Sequence, residues 1–466
     1  MVSPDRVLIR GAEVEGRIVD VLLADGVVEE IERSIAPHAT DDVVDAAGGA
    51  LIPGLHDHHV HLLAMAAQRE GVDVSIASTP AEFDALVAGA AGSSSEDWIR
   101  VAGHDEHRHG QIDRYRLDAL APGRRVRVKH RSGLAWVLSS GALDAVGLGD
   151  GETLVGVERD ASGRATGRLL RLDDWLAERI GVQAPALGAI GAELTALGFT
   201  GVTDATPALG MGRIEALRAA VEDGDIAQRL VLLGVDDDET LDDWARMGPT
   251  KIVIDELDDP DPDSLAAQIA RSHSVGRPVA IHAVSRLETV TAVMALALAG
   301  SVDGDRIEHG SVLPEDLDPV LAAGGITVVV QPSLVRERGD HYISAVDHDD
   351  QPFLHRAGSL LAAGVRIAAG SDAPVTSIDP WKAIATAADR TTREGRLLGG
   401  RERVDPLVAL GWFLTDPLDP GGPIRRVRVG ARADLCLLDR PLAEVLRGPD
   451  SAMVSSTIVG GRLVER

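Results

Sequence analysis

The chain has 466 residues, 45% of them hydrophobic, and a formal net charge of −27. That length exceeds one ordinary domain but fits a large barrel with an appendage, and the charge argues against nucleic acids and anionic membranes as partners. The sequence has no apolar run of about 18 residues, no signal-like N-terminus and one cysteine, Cys436. We therefore expect a cytoplasmic protein without a disulfide or a cysteine-based zinc site.

Both ends of the chain are predicted to form short strands separated by turns. The predicted terminal strands are 6–10, 18–23 and 27–31 near the N-terminus, and 425–429, 433–438 and 455–459 near the C-terminus. We expect residues 1–53 and 405–466 to pair into one composite β-sandwich domain, with the middle of the chain as an insertion.

The middle of the chain, residues 54–404, alternates apolar runs with helical stretches, which is typical of a parallel (β/α)8 TIM barrel in the α/β class. The strand candidates are 99–101, 126–128, 201–204, 230–233, 251–254, 279–282, 306–309, 326–330 and 365–369. The helix candidates are 264–275, 286–299, 353–363 and 380–393. The stretch at about 66–180 is too long for one connection, so we expect an elaboration between the first two barrel strands.

Four of the 15 histidines lie within residues 56–61, after the apolar run 50–52. Residues two apart on a strand point to the same side, so His59 and His61 would aim two imidazoles at one point. That arrangement suits a first-row metal ion, and the alternative is a chance polar cluster on a loop. His58 should point to the opposite side.

Three further candidate strands end on a potential metal ligand, namely His282, His309 and Asp372. Active residues of such barrels lie at the carboxyl ends of the strands. A lone histidine at a strand end is usually structural, but several together with an aspartate favour a metal site. Imidazole and carboxylate ligands suit Zn²⁺, Co²⁺, Mn²⁺ or Fe²⁺ and do not choose among them.

Five motifs together resemble the metal-dependent amidohydrolase superfamily. They are Pro-Gly-x-x-Asp-x-His-x-His at 53–61, Ile-His-Ala at 281–283, Arg-Ile-Glu-His-Gly at 306–310, Gly-Ser-Asp-Ala-Pro-Val at 370–375 and Ala-Asp-Leu-Cys-Leu-Leu-Asp at 433–439. Residues 99–147, 198–204 and 331–333 are similar to the branch called amidohydrolase 3. The order and spacing of the motifs, rather than any one of them, carry the resemblance.

The resemblance implies a centre of two divalent metal ions. His59, His61 and Asp372 would bind one ion, and His282 and His309 would bind the other. Lys251, carboxylated by CO₂, would bridge the two ions, with a surface or strand-entry lysine as the alternative. The other two lysines of the chain, Lys129 and Lys382, are expected to be structural. Asp57 is expected to support the ligands rather than bind metal.

The resemblance also implies a reaction. Asp372 would take the proton of the attacking water and later pass it to the leaving group. We expect hydrolysis of a C–N or related bond in a small neutral amide, carbamate, thiocarbamate or urea, by a homo-oligomer. In length and arginine-rich composition the chain resembles bacterial hydrolases of xenobiotic thiocarbamates and phenylureas. The alternatives are a mononuclear deaminase of the same superfamily and a non-catalytic scaffold.

One segment departs from the pattern of the branch. Members of the branch often carry a Gly-His pair shortly before a Trp-Val-Asn-Ser segment, and the corresponding stretch here, from 130 to Trp136, lacks the histidine of that pair and the asparagine. The same elaboration carries a dense polar cluster at 104–109, His-Asp-Glu-His-Arg-His. We expect that cluster to be a solvated or entrance-lining loop, with an extra ion site as the alternative.

Overall fold

The computed structural model describes residues 6–39, 41–93, 97–133, 135–149, 154–180, 185–254 and 260–465. The chain divides into two compact units. The first comprises Met1–Leu62 together with Leu187–Arg466, and the second comprises Leu63–Ala186. The second unit spans the stretch in which the sequence predicts an elaboration.

The strands share a short length, eight residues at most within the described ranges. In chain order they are β1 (Val7–Val14), β2 (Arg17–Ala24), β3 (Val27–Glu32), β4 (Asp42–Asp45), β5 (Leu51–Pro53), β6 (Leu55–Val60), β7 (Val72–Asp73), β8 (Trp98–His104), β9 (Arg125–His130), β10 (Ala135–Leu138), β11 (Val157–Arg159), β12 (Ala165–Leu170), β13 (Phe199–Asp204), β14 (Arg229–Leu232), β15 (Ala245–Met247), β16 (Thr250–Val253), β17 (Val279–Ala283), β18 (Arg306–His309), β19 (Thr327–Val330), β20 (Arg366–Ala369), β21 (Thr415–Asp416), β22 (Asp419–Ile424), β23 (Leu435–Leu438), β24 (Val454–Val459) and β25 (Arg462–Val464).

The helices alternate with the parallel strands in the middle of the chain. In chain order they are α1 (Leu62–Arg69), α2 (Pro80–Ser93), α3 (Glu106–His109), α4 (Arg114–Leu120), α5 (Ser140–Ala145), α6 (Asp173–Ile180), α7 (Gly188–Ala196), α8 (Gly210–Glu222), α9 (Pro262–Ser274), α10 (Arg286–Ala299), α11 (Asp318–Ala323), α12 (Ser333–Ala345), α13 (Gly358–Ala362), α14 (Pro380–Asp389), α15 (Pro406–Gly411) and α16 (Leu442–Val445). Every helix in the described ranges is too short or too polar to cross a membrane.

Two four-stranded sheets are built from the two ends of the chain, in the orders β3-β2-β1-β4 and β25-β24-β23-β5. The second sheet joins the ends directly, because β5 pairs antiparallel with β23 and places Pro53 opposite Leu435. Both sheets contribute buried side chains, such as Ile9 and Leu435, to one apolar cluster. Burial of this shared apolar surface is what stabilises the pairing of the two ends.

The predicted terminal strand at 425–429 is wrong. The structure has β22 ending at Ile424 and no strand at 425–429. The Arg425 guanidinium group instead turns inward and donates hydrogen bonds to the carbonyl oxygens of Leu414, Thr415 and Gly54. This arginine and the buried Val427 therefore anchor the stretch without a strand.

The parallel strands of the first unit form two sheets, in the orders β15-β14-β13-β6 and β16-β17-β18-β19-β20. The chain passes from one sheet to the other through Gly248 and Pro249, between β15 and β16. Proline has no N–H to donate to a ladder, which explains the interruption there. At the other seam β6 meets the segment after β20 through a single parallel bridge, Val60 to Ala373. The described ladders therefore do not close into the continuous ring that the sequence predicts.

Two predicted helices are shorter in the structure than in the prediction. The stretch 353–363 forms a 3-10 turn ending at Phe353 and then α13. The helix predicted at 380–393 ends at Asp389, because Arg390 adopts the left-handed conformation with φ 58°. The Arg390 side chain is buried and donates to the carbonyl oxygens of Leu398 and His355, which outweighs the helical propensity of the stretch.

The seam between β20 and β6 depends on the absence of a side chain at Gly370. A Cβ at this position would lie 2.5 Å from the Cβ of His59 and 2.6 Å from its backbone nitrogen. We expect Gly370→Ala to lower the free energy of unfolding by about 1–3 kcal/mol. Urea unfolding followed by circular dichroism measures the change.

Gly212 provides the matched control for that substitution. It lies within α8, and a Cβ there meets no described atom within 4 Å. Gly212→Ala should leave stability unchanged or raise it by up to about 1 kcal/mol, because alanine has the higher helix propensity. Equal stabilities of the two variants would mean that the close approach at Gly370 is not needed.

The second unit contains a six-stranded sheet in the order β11-β12-β10-β9-β8-β7. The strands β7, β8 and β9 are parallel, and the remaining pairs are antiparallel. Phe83 of α2 and Leu117 of α4 pack with Val101 and Val126 of the sheet in an apolar core of its own. The carboxyl ends of β8 and β9 therefore lie next to each other at one edge of this unit.

Candidate metal centre

The strand β6 is buried along its whole length and carries three of the four clustered histidines, with His61 directly after it. The Nε2 atoms of His59 and His61 lie 3.5 Å and 3.2 Å from Oδ1 of Asp372, which follows β20. One ligand-type atom of each of these three residues lies within 4.8 Å of the other two. Two imidazoles and a carboxylate at this spacing can hold a divalent metal ion.

The second ring nitrogen of each of these histidines is engaged by another side chain. Nδ1 of His59 lies 2.5 Å from Oε2 of Glu308, and Nδ1 of His61 lies 3.1 Å from the hydroxyl of Thr206. A proton on Nδ1 that is donated to these oxygens leaves the Nε2 lone pair free. Glu308 and Thr206 thereby orient both rings toward Asp372.

His282 and His309 form a second imidazole pair at the ends of β17 and β18. Nε2 of His309 lies 3.0 Å from Nδ1 of His282. Gln331 accepts a hydrogen bond from Nδ1 of His309 at 2.8 Å, and its amide nitrogen donates to the carbonyl of Val329. The contact with Val329 fixes the amide orientation, so that the Gln331 oxygen faces His309. The proton of His309 is therefore on Nδ1, and Nε2 keeps its lone pair. The ring centroids of His309 and His59 are 4.7 Å apart, so the two histidine pairs form one cluster.

Lys251 places its side-chain nitrogen close enough to the same cluster to interact electrostatically with His59. Its Nζ atom is buried and has no hydrogen-bond partner among the described residues. Burial lowers the pKa of Lys251, while the charge of Glu308 opposes that shift. Burial and then the charge of Lys251 lower the pKa of His59 to about 3. A buried polar nitrogen without a partner is costly, so this position is incomplete without a ligand or a modification.

Asp372 is held ionised despite its burial. Burial opposes ionisation, but the close contact with His61 and the neighbouring imidazoles outweigh it and keep the pKa of Asp372 below its usual range. The carboxylate is therefore available at neutral pH both as a ligand and as a proton acceptor.

The remaining polar residues of β6 have other partners. His56 contacts the hydroxyl of Thr203 at 2.8 Å, and His58 contacts the hydroxyl of Thr415 at 3.0 Å. Asp57 accepts the backbone N–H of His59 at 2.9 Å and that of Ser371 at 3.0 Å. Burial raises the pKa of Asp57 to about 7. These contacts tie β6 to the segment after β20 and to the neighbouring strand.

Glu308 is a site residue that sequence reasoning missed. Its Oε1 atom accepts a hydrogen bond from Nε of Arg306 at 2.6 Å, and both side chains are fully buried. Burial would raise the pKa of Glu308, but the charges of Arg306 and His59 hold it well below its usual range. The available signal was an arginine and a glutamate two residues apart in an apolar strand, which places both on one side.

The sequence predicts a solvated or entrance-lining loop at 104–109, but the structure buries part of this cluster and folds Glu106–His109 into the short helix α3. His104 and Asp105 are buried, and His109 is fully buried. Asp105 caps the short helix α3 by accepting the N–H of His107, and the His109 ring stacks on Phe83. These local contacts account for the burial of so polar a stretch. Burial lowers the pKa of His104 to about 4.

Comparisons with known proteins point to one family. The family model of the amidohydrolase 3 branch, described as "Amidohydrolase family", matches residues 42–465. An N-substituted formamide deformylase from Arthrobacter pascens is 27% identical over 500 aligned positions, which cover 93% of this chain and 90% of that protein.

Two solved structures share the fold. An uncharacterized metal-dependent hydrolase from Pyrococcus furiosus superposes with a TM-score of 0.70 at 18% identity, covering 97% of this chain and 100% of that one. An N-isopropylammelide isopropylaminohydrolase from Burkholderia multivorans superposes with a TM-score of 0.55 at 17% identity, covering 99% and 98%. Together with the family match, these similarities establish a TIM-barrel-type fold.

Proposed function

The chain belongs to the amidohydrolase family and is a metal-dependent amidohydrolase, and from that premise we propose a binuclear enzyme that hydrolyses small neutral amides, with N-substituted formamides as the first class. The observation that carries the proposal is the convergence of His59 and His61 on Oδ1 of Asp372. The N-substituted formamide deformylase, similar over most of both chains, supports the substrate class. We further propose that the two parallel sheets, of four and five strands, act as one TIM-type barrel around this site.

The residues present fit two divalent ions. His59, His61 and Asp372 would hold one ion, and His282 and His309 would hold the other. Lys251 would bridge them after its Nζ atom forms a bond to the carbon of CO₂ and releases a proton. The buried Nζ atom without a partner among the described residues supports this modification, because a neutral amine is the form that reacts with CO₂. The donor set suits Zn²⁺, Co²⁺, Mn²⁺ and Fe²⁺.

The chemistry divides between the ions and the side chains. The bound ions would supply a water molecule of lowered pKa and would polarise the substrate carbonyl. Asp372 takes one proton from the attacking water and delivers it to the leaving nitrogen, which departs as a neutral amine. Thr206 holds the His61 ring through Nδ1, so that Nε2 stays directed toward the Asp372 carboxylate. Glu308 and Gln331 orient the rings of His59 and His309 by accepting hydrogen bonds from their Nδ1 atoms.

A hydrolysis screen tests the proposal. The panel contains N-substituted formamides, other neutral amides, carbamates, thiocarbamates and ureas, each with Zn²⁺, Co²⁺ or Mn²⁺ and with a chelator. We expect release of formate and amine from the formamides, loss of that activity with chelator, and recovery on adding metal. Release of product from carbamates, thiocarbamates or ureas alone would keep the reaction class and change the substrate. An absence of product throughout would contradict the proposal.

Glu308→Gln should weaken binding of the metal ions at this centre by about 10–100-fold, because such outer partners fix the orientation and basicity of a ligating histidine. Glutamine keeps the size of the side chain but removes the charge that accepts the Nδ1 proton of His59. Competition with a chromophoric chelator measures the affinity. Glu222→Gln, at an exposed position at the end of α8, is the control. Equal affinities of the two variants would show that Glu308 does not position His59.

A further inference from the structure

A second group of metal-ligand residues lies in the second compact unit. The neighbouring parallel strands β8 and β9 end on His104 and His130, which face each other in the ladder. Glu106 opens α3 two residues after His104. One ligand-type atom of each residue lies within 4.8 Å of the other two. We propose that His104, Glu106 and His130 form a further metal site that binds a zinc-like divalent ion.

The hydrogen bonds of His104 leave one ring nitrogen available. The side chain is only 3% exposed, and its Nε2 atom lies 3.1 Å from the carbonyl oxygen of Gly110. A carbonyl can only accept, so the proton is on Nε2 and Nδ1 keeps its lone pair. Within the described part of the chain, Nδ1 has no hydrogen-bond partner. An imidazole with one nitrogen anchored to a backbone carbonyl and the other free is the usual state of a metal-binding histidine.

His130 and Glu106 face each other at the exposed side of the group. Nε2 of His130 lies 2.7 Å from Oε2 of Glu106, with the two side chains 21% and 36% exposed. The hydroxyl of Ser132 lies 2.7 Å from Nδ1 of His130 and can accept a hydrogen bond from it. The Ser132 backbone N–H lies 3.1 Å from the same Nδ1 atom and can donate to it. That contact favours the tautomer with its proton on Nε2, which is the proton that Glu106 accepts in the absence of a cation. Binding of a cation between Nε2 and Glu106 therefore moves the ring proton to Nδ1.

The other polar residues of the cluster are committed to structural contacts. Asp105 pairs with Arg131 at 2.6 Å and caps α3. His109 uses both ring nitrogens, because it accepts the N–H of Asp105 and donates to the carbonyl of Ala77, each at 3.1 Å. The imidazoles of His104 and His130 and the carboxylate of Glu106 remain available as ligands. They leave the fourth position of a tetrahedral zinc ion open to water or another ligand. The Asp105 carboxylate also neutralises the guanidinium charge of Arg131, the residue after His130.

The test is the zinc content of the full-length chain after dialysis against a fixed free Zn²⁺ concentration. We expect His130→Ala and Glu106→Gln each to hold about one zinc ion less per chain than the wild type, the loss of one three-ligand site. His107→Ala is the matched control, because His107 is exposed on the same short helix. It should retain the wild-type zinc content. Circular dichroism of each variant checks that the chain has folded.

Two further results separate this site from the centre at His59. His61→Ala should lose zinc from that centre, and adding His130→Ala to it should remove about one ion more. The inference does not rest on the proposed function, since zinc content is measured without any substrate. Equal zinc contents of the wild type, His130→Ala and Glu106→Gln would overturn it and leave His130 and Glu106 as an ion pair only.

Discussion

Asp372→Asn is expected to lower kcat by about 10²–10⁴-fold, the usual contribution of a positioned acid–base group. Asparagine keeps the shape of the side chain and one carbonyl oxygen at the point where His59 and His61 converge. It cannot take a proton from water or return one to the leaving nitrogen. Steady-state kinetics on the most active substrate of the hydrolysis screen measures the loss.

Asp316→Asn is the control for this substitution, because Asp316 is exposed in the same unit. It should keep the wild-type kcat. The folded pKa of Asp372 lies below its usual range, so the wild-type rate should not fall through protonation of this carboxylate between about pH 5 and pH 7. An Asp372→Asn variant with a wild-type kcat would remove Asp372 from the proton transfers.

Lys251→Ala is expected to reduce activity by more than about 10²-fold, since even indirect metal partners are worth 10–100-fold. The substitution removes the nitrogen that would carry the bridging carboxylate between the two ions. Short carboxylic acids such as acetate and propionate should restore part of the activity, because they return two oxygens to the space left by the side chain. Rates measured against acid concentration should rise and then saturate.

Lys382→Ala supplies the matched lysine control. Lys382 is exposed and forms an ion pair with Asp379, so its loss should leave the rate unchanged. A structural role for Lys251 predicts a loss of activity that added carboxylic acids do not repair. Wild-type activity of Lys251→Ala would exclude Lys251 from the centre altogether.

Local periodicity predicts much of the candidate centre. The alternation of side chains along β6 separates His59 from His58, and the structure turns His58 toward Thr415 instead. The strand ends at His282 and His309 also follow from apolar runs that stop at a histidine. These features depend only on neighbouring residues in the chain, so the local sequence pattern is enough to predict them.

Contacts between distant segments could not be predicted in the same way. Glu308 meets His59 across 249 positions of the sequence, and nothing local to either residue indicates that pairing. The early end of α14 depends on the burial of the Arg390 side chain against Leu398 and His355. The burial of His109 depends on stacking against Phe83. Tertiary contacts of this kind override propensity and charge pattern.

Anomalous X-ray diffraction from zinc- or cobalt-loaded crystals, recorded at the absorption edge of the metal, tests the central claim most directly. We expect two peaks in the first unit, one among His59, His61 and Asp372 and one beside His282 and His309, with density for a carboxylated Lys251 between them. A single peak there would favour the mononuclear deaminase. A map without any peak among these six side chains would contradict the binuclear centre.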